Sequence, residues 1–400
     1  MEKITYRVED LGSVVGGGTP STEKDEYWDG DIPWISPADL TGYTDVYISK
    51  GAKNITEEGL KKSSTKLLPA GTVLLSSRAP IGYIAIAKND ICTNQGFKSI
   101  VCNENIVNNS YLYYFLKLNT EYLKSFASGA TFPELSGNRL KRIKLNIARE
   151  LDVQKKIADN LLNYDNLIIN NENRITILEK MAQNLFNEWF VRFRFPGYEL
   201  AVFENGVPKT FEYSTVEQLS DVLQRGISPA YDDEGKYCVI SQKCIRKNIM
   251  DISEARKQSK EYKSMLNLKD GDTVICSTGT GTLGRVGQVY GDYPDTTFDS
   301  HVTLVRAKNN IGKHFLFYSL KNLQPWFMNM GIGSTNQQEL YKKTIQKAKI
   351  LVPDTTLMNS FEEYIEQIHR QIIALSKAND NLIKQRDLLL PRLMSGKLEV

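Results

Sequence analysis

Cysteine is scarce in this 400-residue chain. The five that occur, Cys92, Cys102, Cys238, Cys244 and Cys276, are odd in number, contain no Cys-x-x-Cys pair, and have only three histidines beside them. This pattern supports neither a disulfide framework nor a zinc site, so ordinary reduced core thiols are expected. Long apolar runs are missing as well: none approaches the roughly 18 residues a membrane helix needs, and MEKITYRVED has no signal-peptide core. A cytoplasmic chain without a membrane partner is expected. Nor is one sign of charge in excess, because 50 Lys and Arg against 47 Asp and Glu leave +3. Bulk charge therefore says little about nucleic acid, and local clusters carry the question. With 41% hydrophobic and 24% charged residues the chain is able to bury sizeable cores.

Catalytic signatures are absent too. There is no GxxxxGK[ST], hence no P-loop motor, and no two prolines are adjacent, which removes the Asn/Asp-Pro-Pro-aromatic motif that amino-methyltransferases use to hold a flipped base. The pairs Pro294-Asp295 and Pro353-Asp354 lack a following acidic-x-Lys at nuclease spacing, and no histidine has a nearby Ser or Cys partner in sequence. Gly279 to Gly284 matches GxGxxG, but the fingerprint requires a helix next, whereas Arg285 to Tyr290 alternates like a strand. A hairpin loop is the expectation there.

What the chain does have is itself, twice. Val8 to Val14 (VEDLGSV) returns as Val216 to Val222 (VEQLSDV), an offset of 208. Leu68 to Ser77 (LPAGTVLLSS) answers Leu268 to Ser277 (LKDGDTVICS) at 200, and Asn171 to Ile175 answers Asn379 to Ile383 at 208 again. The frame repeats while the interior drifts, as in one scaffold presenting two recognition surfaces. Strand-like runs such as 71–75, 83–87, 273–276, 285–290 and 301–306 are separated by turn signals. Two stretches then change to a helical period. Ile157, Leu161, Tyr164, Ile168, Asn171, Ile175, Leu178, Ala182, Leu185 and Trp189 fall at alternating spacings of four and three, and Ile365, Ile368, Ile372, Leu375, Asn379, Leu382, Leu389 and Leu393 mark a second apolar face. Pro353 opens this second helix, and Pro391 and Gly396 signal its end.

Neither helix can bury such a stripe alone. The simplest arrangement is an α+β fold of two globular domains with mixed sheets, residues 1–148 and 196–351, joined by two long antiparallel helices in 149–195 and 352–400 with pseudo-twofold symmetry. Asn171 and Asn379 are repeat-equivalent and sit near the middle of the seam, where a buried polar pair fixes register at some cost in stability.

Candidate binding residues fall at matching stations. Arg139, Lys141, Arg142 and Lys144 cluster where the first domain meets its helix, and Lys342, Lys343, Lys347 and Lys349 do so in the second. Two such patches suit phosphates on two stretches of one duplex. Polar loops carry the donors and acceptors that base reading needs. In the first domain these hold Ser36, Arg78 and Thr131; in the second, Lys243, Thr278, Thr280, Arg285, Thr335, Asn336 and Gln337. Any one of them alone is as well explained by a loop bonded to itself.

The order of several short motifs resembles the specificity subunits of Type I restriction-modification systems. It rests on Leu11-Gly12, Gly16 to Pro20, Asp31 to Ser36, Pro69 to Leu75, Asn94 to Phe97, Leu185 to Val191 and the tail Leu389 to Gly396, and it covers nearly the whole chain. One departure concerns the entrance to the first helix: Asn146 to Glu150 lacks the family's prolines while keeping Gln154. The resemblance implies two target-recognition domains, no catalysis and no cofactor in this chain. Its partners would be double-stranded DNA, two modification subunits using S-adenosylmethionine, and restriction subunits using ATP and magnesium. The helix from Ile157 to Trp189 would span about 50 Å, more than one duplex turn of about 34 Å, so two unlike half-sites with an unread gap are expected. Two other readings compete: a stand-alone DNA-binding regulator, which would bind its site without partners, and a methyltransferase or nuclease whose motifs have diverged, which would be active in isolation.

Overall fold

A computed structural model of the chain describes every residue except 130–132, 247, 334–337 and 400. The fold is α+β in two compact units, one of residues 1–173 with 376–400, the other of residues 174–375.

In the first unit the main sheet has five strands in the order Gly12–Gly16, Lys98–Cys102, Val73–Ser77, Ile81–Ala87, Tyr47–Ile48. Val73–Ser77 lies at its centre and is buried at all five positions, as a strand covered on both faces must be. The helix Asn109–Leu118 buries Tyr111 to Leu116 in the same core. A three-stranded sheet (Lys53–Ile55, Trp28–Ile35, Cys92–Thr93) and the pair Lys3–Arg7 with Lys144–Ala148 complete the unit.

The second unit repeats this order. Ser220–Arg225, Val302–Ala307, Thr273–Cys276 and Val286–Gln288 form its main sheet, Arg256–Gln258, Tyr237–Ile240 and Thr296–Phe298 the small one, and Glu212–Thr215 pairs with Lys349–Val352. Thr273–Cys276 and Val286–Gln288 pair antiparallel, so the GxGxxG stretch is the turn between them, with Gly279, Gly281 and Gly284 all at positive φ.

The repeated VEDL and VEQL are each one turn of helix, Val8–Leu11 and Val216–Leu219. The third residue of each closes the first turn: Arg7 N–H donates to the Asp10 carboxylate (2.8 Å) and Thr215 N–H to Gln218 Oε1 (2.9 Å). Val8, Leu11 and Val216 are fully buried and Leu219 nearly so, which explains why both the apolar and the capping positions recur. The glycine run has a steric cause. A Cβ on Gly17 would stand 1.9 Å from the Asn94 carbonyl oxygen, and one on Gly18 2.3 Å from Ser64 Oγ.

The two long helices are Leu151–Phe186 and Thr355–Ser395. The first is entered directly from Lys144–Ala148, and Gln154 fixes the junction in place of prolines. Fully buried, it donates to the carbonyls of Ala148 (2.8 Å) and Ile106 (3.1 Å) and accepts the Asn108 N–H (2.8 Å). Its equivalent 208 residues on, Glu362, accepts the N–H groups of His314 (3.1 Å) and Phe315 (2.7 Å) at the start of the helix Lys313–Asn322. Burial pushes the Glu362 carboxyl up to about 7, against those two N–H groups.

Within the first unit the helices run antiparallel, since Asp165 meets Arg386 and Asn171 meets Asn379. Ile157, Leu161 and Ile168 are buried there, while Leu382 and Leu389 are half-buried and Leu390, Leu393 and Met394 join the core. Within the second unit Ile365 and Ile372 are buried and Ile175, Leu178, Leu185 and Leu375 half-buried. Two details depart from the periodic pattern. Phe186, four residues after buried Ala182, is the core residue where Leu185 is half-buried, and the π-turn Asn187–Val191 that follows puts Trp189 and Phe190 side by side around Phe361. Pro391 lies inside the second helix instead of ending it. Its missing N–H forfeits a single bond close to the terminus, and Gly396 at φ 78° makes the stop.

Candidate nucleic-acid interface

In the first unit three segments distant in sequence meet at the C-terminal end of Val73–Ser77. Ser77 N–H donates to the Gly96 carbonyl (2.7 Å), the Ser77 carbonyl accepts Leu135 N–H (2.9 Å), and Asn94 N–H donates to the Ile35 carbonyl (2.8 Å). Ser36, Arg78 and the foot of the loop that carries Thr131 are thereby brought to one edge. The loop is closed by reciprocal bonds between Ser128 and Glu134, 3.0 and 2.8 Å. Thr131 itself lies outside the described residues.

The helix Gly137–Arg142 starts directly after this loop. Ser136 caps it by accepting Arg139 N–H (3.3 Å), and fully buried Leu140 anchors it, so Arg139 and Arg142 stand exposed and Lys141 half-buried. One guanidinium N–H of Arg139 is spent on the Phe126 carbonyl (3.0 Å). Ser36 is occupied: its N–H and its hydroxyl both donate to Asp39, at 2.7 Å each.

The second unit builds the same edge at the end of Thr273–Cys276. Ser277 N–H donates to the His301 carbonyl (2.7 Å) and its carbonyl accepts Leu340 N–H (2.8 Å), while Ile332 and Glu339 exchange bonds of 3.0 Å at the foot of the loop carrying Thr335, Asn336 and Gln337. Those three residues lie outside the described residues. Thr278 Oγ1 is 2.6 Å from His301 Nδ1, and Thr282 Oγ1 donates to Gln242 Oε1 (3.2 Å), which places the short turn Gln242–Cys244 beside the hairpin. Lys243 and Thr280 are exposed there. Arg285 instead folds inward, donating to the carbonyls of Ile245 (2.9 Å) and Gly281 (3.0 Å), so it shapes the loop. The helix Lys342–Lys347 exposes Lys343, and Lys342 donates to Gln224 Oε1 (3.0 Å).

Sequence reasoning missed several groups at these edges. Lys98 stands beside Gly137, where a Cβ would meet its side chain at 3.6 Å, and burial pulls its ammonium below the usual lysine range. Arg225, His301, Glu134 and Glu339 were also passed over. The signal available was the doublet Glu-Leu, at 134–135 and again at 339–340. Among the described residues no three His, Cys, Asp or Glu are placed to hold a metal, no helix is long and apolar enough to cross a membrane, and all five thiols are free.

The arrangement presents polar loops and cations along an edge while its acids are bonded internally, which suits binding rather than bond-making. Comparison with known proteins agrees in kind. A family model described as the Type I restriction modification DNA specificity domain matches residues 2–180 and again 208–385. The Type I restriction enzyme MjaIX specificity subunit of Methanocaldococcus jannaschii is 35% identical over 414 aligned positions, 98% of this chain and 93% of that protein. The MjaVIII specificity subunit of the same organism is 23% identical over 98% and 92%. Among solved structures, the S subunit of a Type-I restriction-modification system from M. genitalium shares the fold with a TM-score of 0.63 at 17% identity, covering 98% of this chain and 96% of the other.

Proposed function

This chain belongs to the family of Type I restriction-modification DNA specificity domains, and we propose that it gives such a system its DNA address by reading two unlike half-sites, one with each unit. The observation that carries this reading is the repetition of one edge with different side chains. Strand end, second loop and basic helix recur in both units, while the positions of Arg78, Lys98 and Arg139 on one edge are held by Thr278, Thr303 and Thr344 on the other. Exposed Arg139, Arg142 and Lys343 would take phosphates, and the loops that hold Thr131, Thr280 and Thr335 to Gln337 would face base edges.

In this reading the chain is not an enzyme. Methylation with S-adenosylmethionine belongs to two modification subunits, and translocation and cleavage with ATP and magnesium to restriction subunits, for which this chain is the scaffold. The long helices set the unread gap. A stand-alone regulator is not favoured by a family match that spans both repeats.

The test is deletion of one heptad from each long helix, followed by selection of bound sequences from a random duplex pool. Both half-sites are expected to persist with a changed gap. Changed half-sites with an unchanged gap refute the reading.

A further inference from the structure

At the foot of each second loop a glutamate precedes a buried leucine. Leu135 and Leu340 are fully buried, and their N–H groups bond the strand-end carbonyls of Ser77 and Ser277, so the leucines and the backbone pin the loops. The glutamate side chains are left for another task. In the first unit the Glu134 carboxylate lies 3.8 Å from Arg78 Nη1 and 4.0 Å from Lys98 Nζ. In the second, Glu339 takes Nη1 of Arg225, whose Nε donates to the Ser300 carbonyl.

The cations come from different positions. Arg78 is on the turn after Val73–Ser77, Lys98 opens the neighbouring strand Lys98–Cys102, and Arg225 ends the edge strand Ser220–Arg225. By strand register position 225 corresponds to Gly16, since Arg225 pairs with Thr303 as Gly16 pairs with Lys98, and Arg78 corresponds to Thr278 (78 + 200). The carboxylate is thus common to both units and its cation is not.

Stability does not account for this. Part-exposed ion pairs contribute only about 0–1 kcal/mol, and side-chain exposures of 41% for Glu134 and 35% for Glu339 put both pairs in that class. A carboxylate beside a polyanion also repels it. What both arrangements share is a cation already neutralised at the edge where phosphates would arrive, and a phosphate must displace the carboxylate to reach it.

We propose that Glu134 and Glu339 are specificity-determining residues, each holding the cations of its reading edge away from the phosphates of arbitrary DNA and yielding them only to its half-site. This rests on the DNA-reading proposal and deepens it. On random duplex Arg78, Lys98 and Arg225 release no counterions, because their charge is taken up internally; on target they do. Discrimination arises from that difference rather than from an added base contact.

The test measures affinity of the full chain across a salt series for two labelled duplexes, one carrying the sequence enriched from a random pool and one with that sequence scrambled. Glu339→Gln keeps the shape and frees Arg225. On the scrambled duplex its log-log salt slope is expected to steepen by about 0.9, with affinity rising roughly tenfold at low salt and little change on target. Glu134→Gln frees two cations and is expected to steepen the slope by up to about 1.8. Arg225→Gln alone should make the slope on target shallower by about 0.9, because there Arg225 meets a phosphate, and Glu339→Gln/Arg225→Gln should return the scrambled-duplex slope to the parent value. Because Arg225→Gln has its own expectation, the inference stays testable if a glutamate variant folds poorly. Unchanged slopes in both glutamate variants, an unchanged on-target slope in Arg225→Gln, or an equal gain in the double variant would overturn the inference while leaving DNA reading intact. Failure of the parent chain to bind either duplex would overturn both.

Discussion

Acidifying the protein from pH 7 to pH 5 should destabilise the 174–375 unit, and the size of the loss follows from one buried cluster. His314 and His369 are 2% exposed each, with ring centroids 4.1 Å apart. His314 is bonded by Gln288 (3.2 Å) and Glu366 (3.1 Å), and His369 by the Tyr318 hydroxyl (3.1 Å). Lys313, Asp270, Tyr290 and Lys321 surround the pair. Burial pulls His314 down to about 4 and His369 to about 2. Histidines with lowered folded values contribute stability that is present above their unfolded value near 6.5 and is lost as the pH falls below it. Glu362 opposes them: raised to about 7, it takes a proton in the folded state that the unfolded chain takes only near 4.5, so it adds stability as the pH falls.

Between about pH 6.5 and 4.5 the unfolded state therefore binds two protons through the histidines against one bound by the native state through Glu362. The net of one proton corresponds to somewhat over about 1 kcal/mol lost per pH unit, or between about 1 and 2 kcal/mol from pH 6.5 to 5. Urea unfolding followed by tryptophan fluorescence, with Trp189 and Trp326 inside this unit, measures it. The variant His314→Gln/His369→Gln should reverse the sign of the dependence, leaving only the Glu362 contribution. A parent protein whose stability is flat from pH 7 to 5, or a double variant with the parent's slope, would mean that the buried histidines do not set the pH dependence.

Two further perturbations address the helix pairing of the first unit. Asn379 donates to the Ile168 carbonyl (3.2 Å) and accepts from Asn171 Nδ2 (2.8 Å), so Asn379→Leu alone should cost about 1–2 kcal/mol by orphaning a half-buried amide. Replacing both asparagines by leucine should recover that loss and loosen register, read as heterogeneous cross-linking between cysteines placed across the seam; a double variant with unique register and no gain over the single one counts against a register role. Asp165, 3% exposed, receives both Arg386 and the Tyr114 hydroxyl, so Asp165→Ala should cost about 3 kcal/mol in urea unfolding. A loss below about 1 kcal/mol would mean that Arg386 finds water instead.

The fold was legible where local chemistry repeats. VEDL and VEQL carry their caps and core positions in the same letters, and the GxGxxG stretch was recognisable as a turn because a strand rather than a helix follows it. The helical period was legible, but after Ala182 a step of three to Leu185 and a step of four to Phe186 read equally well, and the π-turn that follows adds Phe190 beside Trp189, which no spacing rule anticipates. The site was less legible for a different reason. Turn-rich polar segments could be marked as loops, but which of them meet is decided by strand order, and only the sheet brings Leu135 to Ser77 and Leu340 to Ser277. Side-chain use was beyond reach as well. Ser36 and Arg285 look like free donors in sequence and are spent on Asp39 and on loop carbonyls, whereas Lys98 and Arg225 sit in strands and drew no notice.

Two units reading two unlike half-sites of one DNA target on behalf of a modification enzyme should leave a mark on the genome. Mapping methylated adenines genome-wide in cells with and without the gene detects it. An asymmetric bipartite motif with a fixed gap, present with the gene and lost on its deletion, is the predicted result. A methylome unchanged by the deletion would contradict it.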